Sequence, residues 1–130
     1  MFIEYNPNPK RKLTDDCVVR AICRVTGKNW HQVYDELSIE GAEVCDYFWK
    51  NYVWGRYLTK IGFEPFMLPN TCPDCFTIRD FAELYPYGTF ILATGGHVVA
   101  VVDGDYYDTS DSGDDVPMYY WKRKEKNNGF

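Results

Sequence analysis

The run from Gly95 to Asp108 (Gly-Gly-His-Val-Val-Ala-Val-Val-Asp-Gly-Asp-Tyr-Tyr-Asp) constrains this chain more than any other segment. Asp103-Gly104 sits between two β-forming runs. A two-residue hairpin turn there needs positive φ, which Gly takes freely and Asp tolerates. If Val102 then faces Asp105, the register places Val99 opposite Asp108 and His97 opposite Ser110. His97, Val99 and Val101 share one face with Tyr106, Asp108 and Ser110, because side chains alternate along a strand. Asp108 becomes a diagonal neighbour of His97. Asp111 projects to the other face and would take its place only after a one-residue slip.

The remainder predicts helices first and strands afterwards. Residues 1–12 read as an extended, irregular lead-in, since Asn6-Pro7-Asn8-Pro9 blocks regular structure. Thr14, Asp15 and Asp16 offer N-caps for a helix whose apolar stripe is Val18, Ala21, Ile22 and Val25, stopped by Gly27. Asn29 caps a second helix with Trp30, Val33, Tyr34 and Leu37 on one face. Residues 42–61 are rich in aromatics and form one broken or two short helices, ended by Gly62. Residues 63–68 suggest a short strand, and Thr77 caps a helix through Leu84. Strands follow at 89–93, 98–102, 105–108 and 116–121, before a polar tail over 122–130. The expectation is one α+β domain spanning residues 1–130, with N-terminal helices packed on a C-terminal, mostly antiparallel β-sheet.

Composition narrows the function classes. Hydrophobic residues are 45% of the chain and aromatics 18%, enough for a packed core, which excludes a disordered chain. Nineteen acidic residues against 14 Lys and Arg argue against nucleic acid as a partner, because an acidic surface gains nothing from counterion release. No apolar run approaches the roughly 20 residues that span a bilayer. The polar, proline-rich start does not resemble a signal peptide, so a cytoplasmic location and no membrane partner are expected.

Five cysteines, an odd number, fit a disulfide framework poorly. Cys17 stands apart because it falls in the first turn of a predicted helix. The helix dipole and its unpaired N–H groups favour a thiolate there, and the backbone N–H of Cys17 can stabilise an oxyanion. His97, after two glycines at a strand start, is the accessible acid–base partner; His31 reads as a surface helix residue. Nucleophile on a helix start, base on a strand and carboxylate on its hairpin partner follow the logic of a Cys-His-Asp triad of Cys17, His97 and Asp108. Cys23 reads as core, and Cys45 as packing inside an aromatic helix. Cys72-Pro-Asp-Cys75 lacks the further ligands of a zinc site, so a thiol pair is the default, with zinc or a labile disulfide as alternatives. The acidic stretch from Asp103 to Asp115 has Tyr107 where a calcium loop needs a ligand, and reads as a solvated loop. No metal and no cofactor are called for.

Asp-Cys-Val-Val-Arg-Ala-Ile at 16–22 with Trp30-His-Gln-Val-Tyr34, and Gly-His-Val-Val-Ala-Val-Val-Asp-Gly at 96–104 with Tyr107-Asp-Thr109, resemble small papain-like cysteine peptidases of phages and bacteria. These are grouped with the peptidases that trim double-glycine bacteriocin leaders. The resemblance spans roughly residues 6 to 111. It implies a papain-like α+β fold and thiol-dependent hydrolysis of a peptide or isopeptide bond in a peptide or protein substrate. Such enzymes carry an oxyanion-hole glutamine six residues before the cysteine; here that position is Arg11. Asn6 or Asn8 is the expected substitute, and Arg11 itself could donate. If no donor replaces the glutamine, the alternative is a weak or inactive binding or inhibitor module of phage origin. A further alternative is an amidase or acyltransferase acting on a non-peptide amide.

Overall fold

The computed structural model describes residues 1–125. Its elements run β1 (Phe2–Glu4), α1 (Cys17–Thr26), α2 (Trp30–Glu43), α3 (Asn51–Lys60), β2 (Phe63–Met67), α4 (Ile78–Leu84), β3 (Thr89–Ala93), β4 (Val98–Val102), β5 (Asp105–Asp108) and β6 (Tyr119–Arg123). The architecture is α+β, with the larger helices N-terminal and one six-stranded, largely antiparallel sheet in the order β1-β5-β4-β3-β6-β2. Among the described residues the single parallel pair is β1 with β5.

Alternation along the strands divides the core between the two faces of this sheet. Ile91 and Ala93 of β3, Val98 and Ala100 of β4, and Trp121 of β6 pack with α1, α2 and α3. Phe90, Leu92, Val99, Val101 and Tyr106 turn to the other face and pack with Ile78, Phe81 and Ala82 of α4. Both faces are therefore apolar, which is why the central strands read as continuous hydrophobic runs. Helix α1 crosses directly over β4 and carries seven buried residues, of which only Arg20 is charged. Local signals set the helix starts. Asn29 with Gln32, and Thr77 with Asp80, form reciprocal capping boxes at α2 and α4.

Four sequence expectations need correction. The lead-in is not wholly irregular, because residues 2–4 pair in parallel with 106–108. The last strand occupies 119–123 rather than 116–121, since Pro117 offers no N–H to a ladder. The tail therefore starts later than residue 122, and its end, from Lys126, lies outside the described residues. Cys45 is exposed, at a positive φ of 55° in the turn after α2. The chain folds back there so closely that a Cβ on Gly41 would lie 2.6 Å from the Asp46 carbonyl oxygen. Finally, Cys72 and Cys75 form a disulfide in an exposed loop rather than a thiol pair, their Cα atoms being 4.2 Å apart. Cys23 is buried in the α1 core.

Candidate active site

Asp103 and Gly104 both adopt positive φ, 49° and 82°, and the hairpin they close has Val102 opposite Asp105, Val101 opposite Tyr106 and Ala100 opposite Tyr107. The register is the one expected from the turn. Beyond Ala100 the β4–β5 ladder ends, and Asp108 pairs instead with Glu4 of β1. At this frayed end His97 reaches Asp108, its Nε2 lying 2.6 Å from Oδ2.

Cys17 is the first residue of α1, half-exposed, and lines the same cavity as the His97 ring. With Nε2 engaged by Asp108, Nδ1 is the nitrogen left for sulfur. The hydrogen bond to Asp108, followed by the Cys17 side chain, pushes the His97 pKa up to about 10 against the opposing effect of burial. Burial pushes the Asp108 carboxyl up, but its hydrogen bonds to His97 and Ser112 outweigh that and hold it below the usual carboxylate range. At neutral pH the imidazole is thus cationic and the carboxylate ionised.

Asp108 is 1% exposed and saturated with partners. Oδ2 accepts from His97 and, at 2.7 Å, from the Ser112 hydroxyl. Oδ1 accepts from the Thr109 backbone N–H at 2.7 Å and from Arg20 at 3.2 Å. Asp111 turns away, accepting from the Tyr106 hydroxyl and the Gly113 N–H while facing Arg79. Asp108, not Asp111, is therefore the carboxylate brought to the histidine. His31 is exposed on α2, where its ring meets the edge of Trp30.

The structure does not bring Asn6 and Asn8 to the sulfur. The Asn6 amide donates to the Lys12 carbonyl, and its oxygen accepts from the Asn8 N–H. The buried Asn8 amide points to Asp16 at 3.4 Å, and its oxygen accepts from the Lys10 N–H. Both side chains brace the lead-in. Asp16, expected as a helix cap, makes no side-chain cap bond. Its carboxylate instead accepts from Arg20 at 2.7 Å and from the Trp30 indole at 2.9 Å. The amides at the start of α1 thus have no side-chain cap from Asp16 competing for them, which suits an oxyanion better than a capped start would.

Beside the thiol opens a cavity of about 590 Å³ between the helical and sheet halves. Trp30, Tyr34 and Trp54 of the helices, with Phe48 and Trp49 of the turn between α2 and α3, form its aromatic wall, and Gly95 and Gly96 form the lip next to His97. Among the described residues no Lys or Arg side chain lines it, and its carboxylates, Asp15 and Asp16, lie at the Cys17 end. The residues missed from sequence are Arg20 and Ser112, along with Trp30 as an anchor for Asp16. Arg20 left a readable trace: it is four residues after Asp16 and is the one charge inside the apolar stretch Val18–Cys23.

No protein family model matches the chain, and no curated protein or solved structure shows detectable similarity to it.

Proposed function

We propose that this chain is a thiol-dependent hydrolase, a papain-like cysteine peptidase acting on a peptide or isopeptide bond. One observation carries the reading: an imidazole held by the buried carboxylate of Asp108 shares a cleft that can hold a side chain with the helix-start sulfur of Cys17. Cys17 attacks the carbonyl carbon as a thiolate, and the backbone N–H of Cys17 takes the developing oxyanion. His97 gives its proton to the leaving amine, forming a thioester. It then takes a proton from water, whose attack releases the acid and restores the thiolate. Asp108 keeps Nε2–H bonded throughout, so that Nδ1 faces the sulfur. The aromatic wall favours substrates with a large apolar side chain near the scissile carbonyl.

Selective alkylation tests this directly. Iodoacetamide should label Cys17 at mildly acidic pH, ahead of Cys23 and Cys45, and His97→Ala should remove that preference. A Cys17 no more reactive at pH 6 than the exposed Cys45 would overturn the proposal. The engagement of both Asn6 and Asn8 by the lead-in favours one second reading, a binding or inhibitor module with little turnover. In that case Cys17 would label selectively, yet amide substrates would not be cleaved.

A further inference from the structure

Arg20 is 4% exposed and makes two ion pairs, with Asp16 at 2.7 Å and with Asp108 at 3.2 Å. Asp16 is 6% exposed and adjoins the nucleophile in sequence; Asp108 holds the base. A buried charge is costly unless paired and fully hydrogen-bonded, and removing one partner from such a set strands the others. A guanidinium here is thus a poor choice for plain packing, between Val19 and Ala21 in the buried stretch of α1. The planar fork does what an apolar residue could not: it meets a carboxylate on its own helix and another on β5.

We propose that Arg20 is a positioning residue of the Cys17–His97–Asp108 set, holding the Asp108 carboxylate in place and setting how strongly it binds the His97 proton. This rests on the reading of that set as catalytic. The guanidinium offsets part of the negative charge that Asp108 presents to the imidazolium, and Asp16 in turn offsets part of the guanidinium. The titratable and charged groups around His97 are Cys17, Asp15, Asp16 and Arg20 on the α1 side, and Asp108 on β5; Ser112 and Thr109 add neutral donors. Signs alternate from Asp16 through Arg20, Asp108 and His97 to the thiolate. Changing either of the first two should therefore move His97 in opposite directions, which a purely structural brace would not do.

The test is the pH titration of the His97 ring, followed by NMR in the full chain, with the exposed His31 as internal control. Arg20→Met should raise the His97 midpoint by about one unit, because an opposite charge beside Asp108 is gone. Asp16→Asn should lower it by a similar amount, and Arg20→Lys should keep it near the native value. Shifts of the same sign in Arg20→Met and Asp16→Asn, or none in either, would overturn the proposal. If Arg20→Met does not fold, Asp16→Asn and Arg20→Lys decide: a lowered midpoint in the first with a native one in the second supports it, and an unmoved Asp16→Asn overturns it. A native midpoint near the ordinary histidine value counts against a thiolate–imidazolium site, but the role of Arg20 is still judged by the two shifts.

Discussion

Cys17 and Cys23 occupy the two ends of one helix, six residues apart, and have opposite surroundings. Cys23 is 2% exposed among Val19, Ile22 and other core residues, and burial pushes its thiol up to about 12, with Asp16 adding to the effect. Cys17 is half-exposed at the dipole's positive end and lines the same cavity as a protonated imidazole. The same side chain is packed into the core in one place and opens on a cavity beside His97 in the other. Burial and partner charge, rather than the thiol itself, make the difference.

The sharpest break of this comparison is a pair of substitutions. Cys17→Ala should abolish amide hydrolysis, a loss of about 10⁴-fold or more, with little change in melting temperature. Cys23→Ala should leave the rate within about twofold and cost about 1 kcal/mol of stability through the cavity it opens. Steady-state kinetics and thermal unfolding of both variants check the contrast. A large rate loss in Cys23→Ala would place the chemistry at the wrong end of α1.

Asp108→Asn should lower kcat by about 10³-fold, because the imidazolium loses its counter-charge and the ring its preferred tautomer. The same variant should move the His97 midpoint down from about 10 toward its ordinary value. An unchanged titration would show that the 2.6 Å contact does not govern the base.

Stability against pH distinguishes the two ends by window. His97 is raised from 6.5 to about 10, so its contribution is complete below about 6.5 and disappears as pH climbs through 10. Cys23 is raised from 9.0 to about 12, so its contribution is complete below about 9 and is lost between there and 12. Unfolding by denaturant should show the native protein weakening in both ranges. Asp108→Asn should flatten mainly the lower one, and Cys23→Ala only the upper.

The smallest effect concerns the Cys72–Cys75 disulfide. It bridges a loop between β2 and α4, and neither cysteine borders the Cys17 cavity. Mild reduction should leave Cys17 alkylation unchanged within experimental scatter. A reductant-dependent change after correction for the new thiols would link two regions that share no contact around the cleft.

What could be read from the sequence was what local chemistry decides. The Asp103-Gly104 turn determined which residues oppose each other in the β4–β5 hairpin, and Asn29 and Thr77 marked helix starts by side chains that bond their own backbone. The mostly antiparallel α+β arrangement followed from the order of periodic segments. The illegible parts depend on partners far along the chain. Three residues, Phe2–Glu4, become a strand only because β5 presents an open parallel edge about a hundred positions later. Asp16 reads locally as a cap, yet its carboxylate goes to Arg20 and Trp30 once α1 and α2 pack. Asn8 and Asn6 read as free amides, and the folded lead-in occupies them.

The pairing of β1 with β5 has a consequence for when the protein can become reactive. Glu4 lies against Asp108, and Arg20 reaches the same aspartate across 88 positions of sequence. A growing chain therefore exposes its cysteine long before the strand that completes the ensemble has been synthesised. Until that late segment docks, Cys17 would lack the His97 and Asp108 partners of the proposed site. On the proposed reading of Cys17, its partners would be complete only after early and late portions of the polypeptide have met.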